Sequence, residues 1–558
     1  FYALADEEAF FEGQPVVSVV ARSRAVAEDA LDLVAVDYDP LPHVADTVSA
    51  LQPGAPVLHP GVLDSNLLAS NPGGAGDPAA RMAEADVVVG GRLFVNRVTG
   101  LPMETRAVVA QWRAGARELS VHHSTQVPHL VRKQLAESLH LDEGDVRVVT
   151  GDVGGGFGLK LGLYPEDVLA CLHAMDSGRP VKWVEDRMEH FRATTHARES
   201  VHDVRIAATS DGRIVAMTDV YATDLGAFNS PFGSAQLTSV MFTGPYFVKD
   251  ASTERRVTLT NKTPTGAYRG YGQPESNFVR EVLIDRLARR LGRDPVELRE
   301  QNMVPSEQLP WRSPGGGLYD SGDYARCLRM AVEAIDYEAQ RARGRGPRED
   351  GRYVGIGISS FMERTGYASA RFLASRGSQY GAHESVTLRA NRSGGVDVYS
   401  GVSSFGQSSE TAFAQVCSEV LGIDYDAVRV HAGDTGATPL NTGGFASRTM
   451  IAASGAIENA CLKLRAKTLR IAAHVLEVDD PDTLEIVGRQ ARVRHDPSRR
   501  VGLAEVHARA IMGQGLPPDT EPGLEATGVY EPDEAAYAFG SAAAMVSVDP
   551  ETGDFDVE

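Results

Sequence analysis

Four glycine-rich segments hold the residues of this chain whose types and spacing suit chemistry on a bound group. The first is Gly151-Asp152-Val153-Gly154-Gly155-Gly156-Phe157-Gly158-Leu159-Lys160, placed after a predicted strand at 146–149. Clustered glycines admit positive φ and let backbone N–H groups converge into an anion-binding nest, fit for a phosphate, a pterin edge or an oxo ligand. The Gly-Lys-Ser/Thr of a P-loop is missing, and no helix follows directly as a dinucleotide fingerprint requires. A tight strand-to-loop turn explains the same glycines without a ligand.

The second segment runs from Asn261 to Glu275 and contains Ala267-Tyr268-Arg269-Gly270-Tyr271-Gly272. A guanidinium fork and a ring face between glycines suit a cleft wall. The start of a helix with Glu275 in its first turn is the plainer reading, and both can hold. Third comes Gly401-Val402-Ser403-Ser404-Phe405-Gly406-Gln407-Ser408-Ser409-Glu410-Thr411, a strand end running into a helix. Free N–H groups at such a terminus attract an anionic group, with Gln407 able to donate and accept. Ser408 and Ser409 serve equally as N-caps. The fourth joins Gly433-Asp434-Thr435 to Thr442-Gly443-Gly444-Phe445-Ala446-Ser447-Arg448 ahead of a long helix.

Other polar residues say less. His122, His123, His129 and His140 lack the paired spacing of a zinc site. Glu104 follows Pro102-Met103 and reads as a supporting residue at best. The chain has no nucleophile elbow and no obvious Ser/His/Asp set.

The elements that must position these segments follow from periodicity. Residues 14–50 read as strand, helix and strand, with Val16–Val20 and Val34–Tyr38 as the strands and Ser23–Leu33 as the helix. A Pro/Gly/Asn-rich stretch, 53–80, reads as a linker. Beyond it the pattern mixes strands (119–121, 146–149, 201–228 around a turn at 210–212) with helices at 127–139, from Pro165, and at 275–291. A second composition break at 341–351 precedes strands at 353–360, 384–390 and 396–400, a helix at 407–421, a strand at 427–431 and a long helix at 448–476. The fold class is α+β in at least three units.

The 558 residues carry 75 Asp and Glu against 55 Lys and Arg, a formal charge of -20. That balance argues against nucleic acid, whose phosphates need clustered cations. No run reaches the length of a membrane span. Four scattered cysteines, Cys171, Cys327, Cys417 and Cys461, supply neither a CxxC knuckle nor an iron–sulfur run and suggest a reducing, cytoplasmic setting. Any redox chemistry must then place most electron carriers on other chains. The opening Phe1-Tyr2-Ala3 and the close after Val546 read as cuts from a longer sequence.

Taken in order, GDVGGGFG, GAYRGYGQPE, GQ-x-x-ET and GDT…GGFASR resemble the molybdenum-binding large subunit of the xanthine oxidase family. The likeness is nearest to the homologues of the aerobic carbon monoxide dehydrogenase large subunit. Ser124-Thr125-Gln126, Pro180 to Trp183 and Asp294 to Arg299 support it. The resemblance implies a partial hammerhead α/β domain at 1–52 and two molybdopterin-binding domains of mixed sheets and helices, at 81–340 and 341–558, the second C-terminally incomplete. It implies a molybdenum–molybdopterin cytosine dinucleotide whose metal takes no side-chain ligand. A water-derived oxygen would go to an N-heterocycle, an aldehyde or a similar small organic substrate. Electrons would leave through a small [2Fe-2S] subunit and a medium FAD subunit, assembled as a dimer of heterotrimers or with a companion chain completing the domains.

Carried over by position, Gly155, Gly156, Phe157 and Gly158 would lie beside the pterin. Arg269 and Tyr271 would line the substrate side, with Gly270 between them at the cofactor. Gln407 would hydrogen-bond the cofactor, and Ser447 and Arg448 would flank its nucleotide end, while Glu275 and Asp434 are structural. Departures narrow the substrate. Carbon monoxide oxidisers have cysteine where Gly270 stands, and purine hydroxylases have glutamate where Leu161 stands. Ser408 replaces the glycine usual after the glutamine. The family's general-base glutamate belongs to a Gly-x-Gly-Glu segment that nothing after Val546 supplies. A non-catalytic cofactor-binding or assembly relative is therefore the alternative.

Overall fold

A computed structural model describes residues 3–230, 236–344, 346–366, 369–375 and 381–558. Arg345, inside the expected boundary at 341–351, lies outside the described residues. Mixed sheets and packed helices make up the architecture, in agreement with the α+β class.

Two sheets build the first half. A five-stranded sheet has the order Leu67–Ala75, Asp250–Thr258, Ile214–Asp224, Ser200–Ala208, Val87–Val95. Its residues alternate between core and surface, so that Val204, Ile206 and Ala208 face a core shared with the helix Gln273–Leu291. Pro274 at its first turn starts that helix, and Gly292 in the left-handed region (φ 65°) stops it. A four-stranded sheet has the order Val146–Val149, Glu118–His123, Ala107–Arg113, Val181–Val184. Helices Pro128–Leu139 and Pro165–Ser177 cover it, burying Val131, Leu135, Ala170 and Cys171.

The second half centres on a four-stranded sheet ordered Val428–Ala432, Val396–Ser400, Glu384–Ala390, Glu525–Tyr530. The helices Ser409–Leu421 and Thr449–Val475 pack on it through Phe413, Ile457 and Leu464. A long antiparallel pair, Tyr353–Thr365 with Ala536–Val548, lies beside the first half's helix, where Ile358 and Met362 join its core.

Two expectations fail. Residues 16–20 and 34–38 are not strands: no neighbouring strand lies alongside them among the described residues, and Val17, Val20, Val34 and Val36 stay exposed. Only the intervening helix, Arg24–Leu31 capped by Ser23, forms as read. Conversely, the stretch read as a linker contains the strand Leu67–Ala75, with Pro72 opposite Glu254. That strand is at the sheet edge, where a proline without N–H interrupts no ladder on its open side.

Candidate functional site

The first glycine loop leaves the end of strand Val146–Val149 and is tied to the second half of the molecule at once. The Thr150 N–H donates to the Gly433 carbonyl (2.8 Å) and the Val153 N–H to the Ser404 carbonyl (2.9 Å). Phe157 adopts a left-handed φ of 55°. Gly158 (φ 106°) needs its missing side chain, because a Cβ there would sit 2.5 Å from the Ala267 carbonyl oxygen. The Phe157 carbonyl accepts from the Arg269 N–H (2.9 Å), which joins the second segment to the first.

Gln126 pins the fourth segment to the same place. Its Oε1 accepts from the Gly158 N–H (2.9 Å) while its Nε2 donates to the Gly444 carbonyl (2.8 Å). Its backbone N–H donates to the Lys160 carbonyl (2.9 Å), and its own carbonyl accepts from the Gly444 N–H (3.0 Å). One buried glutamine thus clips the two loops together.

Beneath the first loop, Glu104 Oε2 accepts from the Gly154 N–H (2.6 Å), the Ser124 hydroxyl (2.9 Å) and Lys160 Nζ (2.8 Å). Burial pushes the Glu104 carboxyl up, but the Lys160 ammonium and the other donors hold it below its ordinary value. Burial also brings the Lys160 ammonium below its usual range, a fall that the Glu104 carboxylate only partly offsets. Behind the fourth loop, the buried Arg448 guanidinium pairs with the buried Glu384 carboxylate and donates to the carbonyls of Gly443 (2.9 Å) and Ala382 (2.7 Å).

The predicted residues fall into two groups. The loop of Gly155, Gly156, Phe157 and Gly158 is tied by hydrogen bonds to the Arg269 backbone and, through Val153 and Gln126, to the 401–407 and 443–448 loops. The Arg269 side chain is exposed and forms no ion pair with the described residues. Tyr271 has a φ of 44° and lines a small cleft with Arg198 and Glu275. Gly270 (φ 104°) abuts Pro274, whose Cγ would lie 2.5 Å from an added Cβ. The side chains of the second group are turned to their own surroundings. Gln407 accepts from the Phe405 N–H (2.8 Å) and donates to the Ser403 carbonyl (3.2 Å), the Ser447 hydroxyl donates to Glu363 (2.7 Å), and Arg448 is held as above. These three shape their loops.

Sequence reasoning passed over Gln126 as a contact and Glu384 altogether. The signal for Glu384 was present: it shares the alternation of Val386 and Leu388, so a carboxylate falls on the core face of its strand.

The arrangement suits a polar, anionic cofactor edge. The N–H groups of the buried Gly156 and of Phe157 have no hydrogen-bond partner among the described residues, nor have those of Ala446 and Ser447, both left-handed (φ 51° and 53°). Of the four residues only Gly156 is buried, where a backbone donor is seldom left without an acceptor; the other three are exposed, and a ligand at this surface would take donors that otherwise face water. No group of three or more His, Cys, Asp or Glu among the described residues is disposed to hold a metal. No helix among them is long and apolar enough to cross a membrane.

Beside the loops opens a cavity of about 810 Å³, reached by Gly158, Leu159 and Ala267 on one wall and by Phe10, Phe11 and Phe228 on another. Leu161 lines it while packing into the core under the four-stranded sheet of the first half.

Comparison with known proteins gives the kind of domain to which these loops belong. Residues 59–303 and 330–558 match two models of a molybdopterin cofactor-binding domain. The chain is 35% identical to the carbon monoxide dehydrogenase large chain of Hydrogenophaga pseudoflava, across 99% of this chain and 71% of that one. It is 34% identical to the nicotine 6-hydroxylase large subunit of Paenarthrobacter nicotinovorans, across 100% of this chain and 68% of the relative. Among solved structures, quinoline 2-oxidoreductase from Pseudomonas putida 86 superposes with a TM-score of 0.93 at 35% identity, covering 100% of this chain and 71% of that one.

Proposed function

The chain belongs to the xanthine oxidase family of oxidoreductases as a molybdenum-binding large subunit, and on that premise we propose that it hydroxylates an N-heterocycle, an aldehyde or a similar small organic molecule. The cofactor is proposed to be molybdopterin cytosine dinucleotide. The partners would be a small [2Fe-2S] subunit and a medium FAD subunit, in a cytoplasmic dimer of heterotrimers. The observation that carries the reading is the N–H of the buried Gly156, without a hydrogen-bond partner among the described residues, on loops that Gln126 clips together.

When bound, the cofactor supplies a two-electron oxidation coupled to transfer of a water-derived oxygen. The chain's own residues then bind and orient. Gly156 and Phe157 would present the first loop's donors, while the Gly155 and Gly158 N–H groups, bonded to the Val153 carbonyl and to Gln126 Oε1, hold the loop's shape. Arg269 would offer an exposed guanidinium fork, in no ion pair among the described residues, to a polar substrate atom, and Tyr271 would contribute from the small cleft that it lines. Gln407, Ser447 and Arg448 keep the second-half loops in place around the cofactor. Gly270 has no room for the cysteine that the resemblance associates with carbon monoxide oxidation. Leu161 offers no carboxylate to a purine.

Turnover of N-heterocycles and aldehydes in ¹⁸O-water, with an artificial electron acceptor, tests the reaction class. Label from water in the product is expected. Label from dioxygen, or no product from a molybdenum-replete complex with any of these substrates, would contradict it.

A further inference from the structure

The cavity beside the glycine loop has an uneven charge. Five carboxylates line it, those of Asp6, Glu7, Glu8, Glu137 and Glu166, and no Lys or Arg does so among the described residues. Glu166 is answered by Arg106 (3.0 Å) and Glu137 by Lys133 (3.6 Å). Asp6, Glu7 and Glu8 are exposed at the rim and form no ion pair among the described residues. The field at the mouth is negative, and a concave wall of one sign concentrates counter-ions.

Aromatic rings make up the wall below that rim. Phe10 lies 4.6 Å from His59 and 5.3 Å, edge to face, from Phe228, which lies 6.3 Å from Phe11. The cluster is built in: it packs on the buried Leu225, Ala227 and Val257, and the Phe10 carbonyl accepts from Asn261 Nδ2 (3.0 Å). His59 Nε2 is held against the Ala227 carbonyl (2.8 Å). Ring faces attract cations through their quadrupole, most strongly where water is displaced.

A neutral molecule gains nothing from the rim, and an anion would be repelled by it. From the acidic mouth, the aromatic wall and the opening onto Gly158 and Ala267, we infer that the substrate is a cationic, flat or apolar-bodied nitrogen compound, such as a protonated heterocycle or amine. The inference rests on the oxidoreductase reading above and adds the charge of the substrate to it.

The test uses the assembled complex and two isosteric probes, N-methylquinolinium and the neutral 1-methylnaphthalene, in equilibrium dialysis at pH 7.5. The cation is expected to bind about tenfold tighter than the neutral probe, and to weaken as salt rises. The triple variant Asp6→Asn, Glu7→Gln, Glu8→Gln should lose the salt dependence and most of the preference. Phe228→Ala should weaken both probes, the cation more. With a cationic substrate the triple variant should raise KM and leave kcat. Equal binding of the two probes, binding of neither, or an unchanged preference in the triple variant overturns the inference. Molybdenum measured in the same sample separates the two readings. A molybdenum-free mature complex contradicts the function itself, whereas a replete complex without the preference contradicts only the cationic substrate.

Discussion

The two halves of the molecule present their loops to one site in different ways. In the first half the support is Glu104 with Lys160, a pair whose lysine is buried and whose carboxylate is 37% exposed and directly bonded to the loop at Gly154. In the second half it is Glu384 with Arg448, both side chains at most 1% exposed, bonded to the loop at Gly443. A wholly buried pair fixes a loop from behind and has little tolerance for the loss of one partner. A half-exposed pair keeps water and ligand within reach of the carboxylate and is correspondingly weaker. The first half's loop thus rests on a pair that solvent can reach, and the second half's on one that it cannot.

Substitutions sharpen that contrast in order of size. Arg448→Met leaves the Glu384 carboxylate buried without its cation and should cost about 3–5 kcal/mol in chemical unfolding. Adding Glu384→Gln should recover part of the loss. A cost below about 1 kcal/mol for the single variant would break the comparison, because exposed pairs give that much. Lys160→Met should cost less, about 1–3 kcal/mol, since solvent reaches its partner. Its larger effect should be on the site, seen as molybdenum lost from the purified complex. Gly158→Ala forces a side chain into left-handed backbone against the Ala267 carbonyl, and about 1–3 kcal/mol of destabilisation is expected, with cofactor loss.

The smallest effect is on pH. Burial lowers His129 from 6.5 to about 4, where its Nε2 lies 3.3 Å from Thr438 Oγ1 under the fourth segment. The folded state thus binds fewer protons than the unfolded chain between those values. The stabilisation is complete above pH 6.5 and is lost as pH falls through 4. His129→Gln should flatten the rise of melting temperature over that window, and an unchanged slope would assign it to other groups.

Much of this was legible in the sequence, for reasons that also mark its limits. Strands 384–390 and 396–400 and the helix ending at Gly292 were set by local alternation, periodicity and a C-cap, all of which act within one element. The strands expected at 16–20 and 34–38 failed because a strand exists only against a partner, which local pattern does not reveal. The strand at 67–75 was hidden by Pro72 and its glycines, residues that an edge position permits. In the site, the glycines were visible because backbone conformation restricts residue type. The clip by Gln126 was not, since its four hydrogen bonds reach residues as far as 318 positions away. Arg448 was visible as a charge before a helix, but its partner Glu384 is on a distant strand.

The most direct test of the account is elemental molybdenum with released CMP, measured on the complex purified from its own host. Near-stoichiometric metal with an equal amount of CMP is the predicted result. Neither metal nor nucleotide in a fully assembled complex would contradict it and leave the loops as a scaffold without its cofactor.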